Sequence, residues 1–151
     1  MPREFRDLDD LTAAVGSHLG YSDWLTIDQA RIDAFAQASG DHQWIHVDPV
    51  RAAAGPFGST IAHGYLTLSL VPLLVGGLVD YAGWPTKVNY GSNKVRYPQP
   101  VPVGSRVRAG AEVTAVGALA AGIQVTLRVT MEIDGHAKPA LVAETITLLV
   151  T

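Results

Sequence analysis

The chain has no cysteine, few charged residues and no run of basic ones, and each absence closes off a class of function. Without cysteine there is no disulfide framework, no thiolate zinc site and no cysteine nucleophile. Charged residues make up 17% of the 151, below the ~25% usual for a soluble domain. Apolar surface is therefore expected to be hidden by self-association or to line a greasy ligand tunnel. Eleven Lys and Arg against fourteen Asp and Glu leave a formal net charge of -3. No basic cluster is available to pair with the phosphates of a nucleic acid or an anionic membrane. Only residues 61–79 approach the ~20-residue apolar length of a membrane span. They carry His63, Thr67, Ser69, Pro72, Gly76 and Gly77 and lack a basic flank, so the expectation is a helix buried on all sides within a protein. The first twenty residues mix charge through the stretch where a signal peptide needs an apolar core, and the cytoplasm is the expected location.

What is present fits one domain over residues 1–151. No repeat or linker divides it, but the first half reads as helices and loops and the second as strands. Leu8, Leu11 and Val15 stand at helical spacing over residues 7–15. Residues 24–27 can form a short extended entry, and Thr26-x-x-Gln29 has the spacing of a capping box. The helix it opens carries Ile32, Phe35, Ala36 and Ser39 on one face and stops at Gly40. Asp48-Pro49 is a second start signal, N-cap then first helical residue. A Gly/Pro/Ser loop leads from Gly55 to Thr60 and into a long apolar helix beginning near His63 or Gly64. Beyond Gly83 the period shifts from near 3.6 to 2, with strands predicted over 86–97, 103–117, 121–133 and 139–150. Asp134-Gly135 is a hairpin signal. Four consecutive strands on tight connections predict an antiparallel sheet wrapped around the apolar helix, an α+β domain.

The densest polar cluster runs from Ser39 through Gly40, Asp41, His42, Gln43, Trp44, Ile45 and His46 to Asp48. Asp41 and His46 sit five apart in backbone free to aim both side chains at one water, which suits general acid–base work. The same two residues also read as an ordinary turn Asp and a structural His. A second cluster, Phe57 to Gly64 and including Ser59 and His63, enters the long helix. The unpaired N–H groups at a helix start, approachable at a glycine, can form an oxyanion hole. Equally, His63 can cap that helix and Gly64 can relieve packing.

Ser39-Gly40-Asp41, Ile45-His46-x-Asp48, the alanines, Phe57 and Ile61-Ala62-His63-Gly64 together resemble the hydratase motif of the MaoC-like dehydratase family, which includes the (R)-specific enoyl-CoA hydratases. The likeness is close over residues 30–75. It continues more loosely through Asn93-Lys94-Val95-Arg96-Tyr97-Pro98 and Val101-Pro102-Val103-Gly104. It implies a hot-dog fold, an antiparallel β-sheet around a long central α-helix. It implies that Asp41 and His46 hold and activate the water added to C3 of a trans-2-enoyl thioester, and that the Gly64 N–H polarises the thioester carbonyl. The implied product is the (3R)-hydroxyacyl-CoA, with Trp44, Phe57, Ser59 and His63 as substrate contacts. Neither a metal nor a cofactor is implied, the CoA thioester being substrate, and a homodimer with sheets joined edge to edge is expected.

Two departures stand out. Gln43-Trp44 replaces the family's usual Asn-Pro, and Pro72 falls in the long helix where some members carry a serine, so a kink is expected there. A metal held by His42, His46 and His63 lacks helical pairing, and Ser59 lacks a nucleophile elbow. Lys87, Lys94, Arg96, Arg106 and Arg108 read as solvated strand faces, one or two of them free to meet CoA phosphates.

Overall fold

The computed structural model describes all 151 residues. A short strand β1 (Arg3–Glu4) precedes helix α1 (Leu8–Ala13), whose N-cap Asp7 accepts a hydrogen bond from the Asp10 N–H. Strands β2 (His18–Tyr21) and β3 (Leu25–Thr26) follow. Helix α2 (Gln29–Ser39) ends at Gly40 in the left-handed conformation, φ 82°, as its sequence predicts. Its start differs from prediction. Thr26 belongs to β3, and the N-cap is Asp28, which accepts from the Arg31 N–H. Two one-turn helices come next, α3 (Trp44–Val47) and α4 (Pro49–Ala53). The second has Pro49 in its first turn and Asp48 as an N-cap accepting from the Arg51 N–H.

The long apolar helix is present as two segments, α5 (Gly64–Ser69) and α6 (Val71–Gly76). Pro72 has no N–H to bond back, so the ladder is interrupted there and the second segment restarts with proline in its first turn. This helix is not buried on all sides. Tyr65 is 73% and Leu73 59% exposed, because the sheet covers only one flank of it. The buried flank is Leu66, Leu70, Val71, Leu74 and Val75.

Beyond β4 (Val79–Asp80) come the four long strands, β5 (Thr86–Arg96), β6 (Arg106–Leu119), β7 (Gly122–Ile133) and β8 (Leu141–Val150). Their positions match the period-2 segments within a few residues, and their order in space does not follow the chain. The main sheet runs β2-β6-β7-β8-β5, with β3 also on β6, all antiparallel. The segment from Tyr97 to Ser105, with prolines at 98, 100 and 102, cannot close a hairpin. It crosses the domain and bridges to the helix entry through Ile61 and Pro102. β5 therefore pairs with β8 and becomes an edge. The β6–β7 connection is tight, with Leu119 opposite Gly122. The β7–β8 connection is longer than Asp134-Gly135 alone predicts, β8 resuming at Leu141.

The core lies between the sheet and the helices. Val107, Ala109, Ala111 and Val113 of β6 and Val125, Leu127, Val129, Met131 and Ile133 of β7 face it, packed on Phe5, Leu11, Ile32, Leu66 and Leu74. The period-2 pattern of β7 is thus the pattern of burial. No helix is long and apolar enough to cross a membrane.

Candidate active site

The site forms where the end of α2, the one-turn helix α3 and the start of α5 converge. Asp41 lies in the short connector after Gly40, where its N–H donates to Ser39 Oγ and its carboxylate Oδ1 accepts from the Gln43 N–H at 3.3 Å. The left-handed Gly40 turns the chain out of α2 so that Asp41 is exposed to a groove. His46 is carried on α3 rather than on free loop, and only 6% of it is exposed. Its Nδ1 is 2.7 Å from the Ile61 carbonyl oxygen. A carbonyl only accepts, so Nδ1 holds the proton, and in the neutral ring Nε2 keeps its lone pair free to act as a base. Burial lowers the pKa of His46. The Ile61 hydrogen bond opposes the shift, His63 adds to it and Asp41 opposes it.

His63 sits at the N-cap position of α5 without capping it. Its ring is 2% exposed and lies 3.8 Å from the His46 ring, 21° from parallel, with Phe35 on another side at 4.9 Å. Its Nε2 is 2.9 Å from the Asp41 carbonyl oxygen, and its Nδ1 is buried without a partner. One side-chain atom each from Asp41, His46 and His63 fall within 4.8 Å of one another.

Gly64 opens α5, and the N–H groups of that first turn have no partner within the helix. A Cβ on Gly64 would stand 3.2 Å from the Tyr97 ring, so the family-like segment ending β5 packs directly against the helix start. Gln29 ties the elements together. Its amide donates to the His46 carbonyl oxygen at 2.7 Å, and its carbonyl accepts from the Thr60 hydroxyl at 2.6 Å.

From Asp41 a groove of about 1120 Å³ runs along α5 and α6 and against β5 and β8. Its wall includes Phe35, Tyr65, Leu68, Val75, Tyr81 and Leu127. Of the catalytic candidates only Asp41 is on that wall; His46 lies deeper, and Gly64 is half-buried beside Tyr97. None of Trp44, Phe57, Ser59 and His63 lines the groove. The Trp44 ring packs over Gly55, with the Arg51 guanidinium 4.2 Å from its centre. Phe57 is 46% exposed, and Ser59 bonds the adjacent Thr60 carbonyl. The sequence singled out neither Gln29 as a brace nor Tyr81, and it carried Tyr97 only as part of the looser likeness. Thr26-x-x-Gln29 did flag a glutamine reaching for backbone, but not the long-range backbone it reaches.

The MaoC-like domain model matches residues 10–133. The chain belongs to the MaoC-like family. This MaoC-like protein is 55% identical over 145 residues to 3-hydroxyacyl-thioester dehydratase Z of Mycobacterium tuberculosis, covering 95% of this chain and 96% of that one. It is 44% identical over 145 residues to nodulation protein N of Rhizobium leguminosarum bv. viciae, covering 94% and 90%. Among solved structures it superposes on the (R)-hydratase from A. caviae involved in PHA biosynthesis with a TM-score of 0.73 and 30% identity, covering 89% of this chain and 96% of that one. The MaoC-like fold is the hot-dog α+β arrangement, an antiparallel sheet with the central helix packed against it.

Proposed function

We propose that this protein reversibly adds water to a trans-2-enoyl-CoA to give the (3R)-3-hydroxyacyl-CoA. The observation that carries the reading is the pairing of Asp41 with a His46 whose Nδ1 is committed to the Ile61 carbonyl, leaving a basic Nε2. The names of the relatives, a 3-hydroxyacyl-thioester dehydratase and an (R)-hydratase, support the same chemistry.

In the proposed step a water sits between the Asp41 carboxylate and His46 Nε2. His46 accepts a proton as the water oxygen bonds to C3. The electron pair of the double bond moves toward the thioester oxygen, where the Gly64 N–H stabilises the developing enolate charge. The proton then returns from the pair to C2 and the site is restored. Atoms and charges balance with no redox cofactor and no metal. The apolar middle of the groove, Leu68, Val71, Val75 and Leu127, suits an acyl chain extending from Asp41. Trp44, Phe57 and Ser59 lie off the groove wall and are assigned to the CoA arm.

The same reading includes a homodimer. β5 is an edge strand with Tyr90 63% and Val88 42% exposed, next to the uncovered helix face of Tyr65 and Leu73. A second copy pairing β5 with β5 would cover both and continue the sheet.

The test follows the loss of enoyl-thioester absorbance with crotonyl-CoA and longer substrates beside a free-thiol assay, with chiral analysis of the product. Hydration without thiol release, giving the 3R product, is the expected result. Thiol release without hydration would make the protein a thioesterase instead. Asp41→Asn is expected to lower kcat by about 10²-fold to 10⁴-fold.

A further inference from the structure

We propose that His63 is a positioning residue for the acid–base pair, holding Asp41 by its main chain and His46 by ring stacking. The proposal rests on the hydration reading above and adds to it a residue that does not itself touch the substrate. His63 is 2% exposed and, like His46, stands behind the groove wall. Its contacts instead point to the two groups that do the chemistry. The Nε2–H donates to the Asp41 carbonyl oxygen across 22 residues of sequence, and the ring face lies 3.8 Å from His46. Phe35 closes another side at 4.9 Å, so the imidazole is clamped.

Packing alone does not explain the choice of residue. A phenyl ring would keep the packing on His46 and Phe35 without leaving a buried nitrogen unpaired, as Nδ1 now is. The histidine is worth that cost only for its Nε2–H, which sets where the Asp41 backbone, and hence its carboxylate, stands relative to His46.

The same contacts fix the tautomer of His63. Nε2 must carry its hydrogen to reach a carbonyl, and Nδ1 lies buried without a partner. The titratable groups facing His46 are Asp41, from the connector after α2, and His63, from the start of α5.

Two substitutions separate the two contacts. His63→Phe keeps a stacked ring and loses the hydrogen bond, and His63→Gln keeps an amide donor and loses the ring. With crotonyl-CoA, His63→Phe is expected to lower kcat on the order of 10²-fold while KM changes little, the penalty of a displaced reacting group. His63→Gln is expected to recover part of that loss. The acid limb of kcat/KM should move to higher pH in His63→Phe, because a second imidazole no longer opposes a charge on His46. Imidazole nitrogen NMR on the unliganded wild-type protein reads the same geometry without substrate. It should show His63 as the Nε2–H tautomer and His46 as the Nδ1–H tautomer.

Wild-type kcat and acid limb in both variants would overturn the proposal, as would an Nδ1–H tautomer of His63. If His63→Phe fails to fold, His63→Gln and the wild-type tautomers decide the matter. A wild-type protein without hydration activity would sink the functional reading alone, since the NMR result stands apart from it.

Discussion

Gln29 accepts a hydrogen bond from the Thr60 hydroxyl at 2.6 Å while its own amide donates to the His46 carbonyl oxygen at 2.7 Å. One side chain thus joins the start of α2, the helix carrying His46 and the loop leading into α5. Gln29→Ala would strand a Thr60 hydroxyl that is 1% exposed. A loss of about 1–3 kcal/mol is expected, the cost of a buried polar group left unpaired. Denaturant unfolding measures it, and a change below half a kcal/mol would mean that Thr60 finds another partner. The kcat of Gln29→Ala should fall too, because His46 loses part of its support.

The pH dependence follows from the burial of His46, which holds its pKa below the ordinary histidine value of about 6.5. Hydration needs the neutral ring. The acid limb of kcat/KM is therefore expected below 6.5, and a limb above that value would contradict the assignment. Stability carries the same sign. The unfolded chain takes up this proton more readily than the folded one. The contribution of His46 is therefore complete above about 6.5 and is lost as the pH falls through the folded pKa. Replacing His46 with Gln should remove the limb and this part of the acid sensitivity together.

Tyr81 has a buried hydroxyl with no partner, and burial pushes its pKa up to about 12. Following phenolate absorbance should leave one of the five tyrosines un-ionised well above pH 10 while the fold survives. Here the stabilising share is present below the ordinary tyrosine value and lost as the pH rises toward 12. Tyr81→Phe keeps the ring stacked on Phe5, 6.0 Å between centres, and removes only the unpaired group. The variant is expected to be unchanged or up to about 1 kcal/mol more stable. A loss of that size would instead reveal a partner for the hydroxyl.

The groove offers a test of chain length. Gly76 lies on its wall, and a Cβ there meets nothing within 4 Å. Gly76→Leu should fill the far part of the groove without strain and improve the helix propensity of α6 by roughly 0.5–1 kcal/mol. The expected result is a fall of about tenfold or more in kcat/KM for long enoyl chains, with crotonyl-CoA unaffected, a blocked subsite forfeiting binding worth about 1–3 kcal/mol. Equal effects on short and long substrates would place the acyl chain elsewhere.

Local chemistry alone made much of this protein legible. Gly40 and Asp48-Pro49 marked helix boundaries because the conformations they favour are properties of single residues. The alternation from Ile123 to Ile133 marked β7 because burial on one face imposes a period of two. The spacing of Asp41, His46 and Gly64 made them candidates through their resemblance to a known motif. Spacing could not show that β5 leaves its neighbour β6 to pair with β8, since the proline-rich crossing that sends it there acts over long range. Nor could it show that His63 is stacked beneath His46, that Gln29 braces the same loop, or that Trp44 packs on Gly55 away from the groove. Those relationships join residues distant in sequence, and only the packing of the helices against one another and against the sheet decides which of them meet.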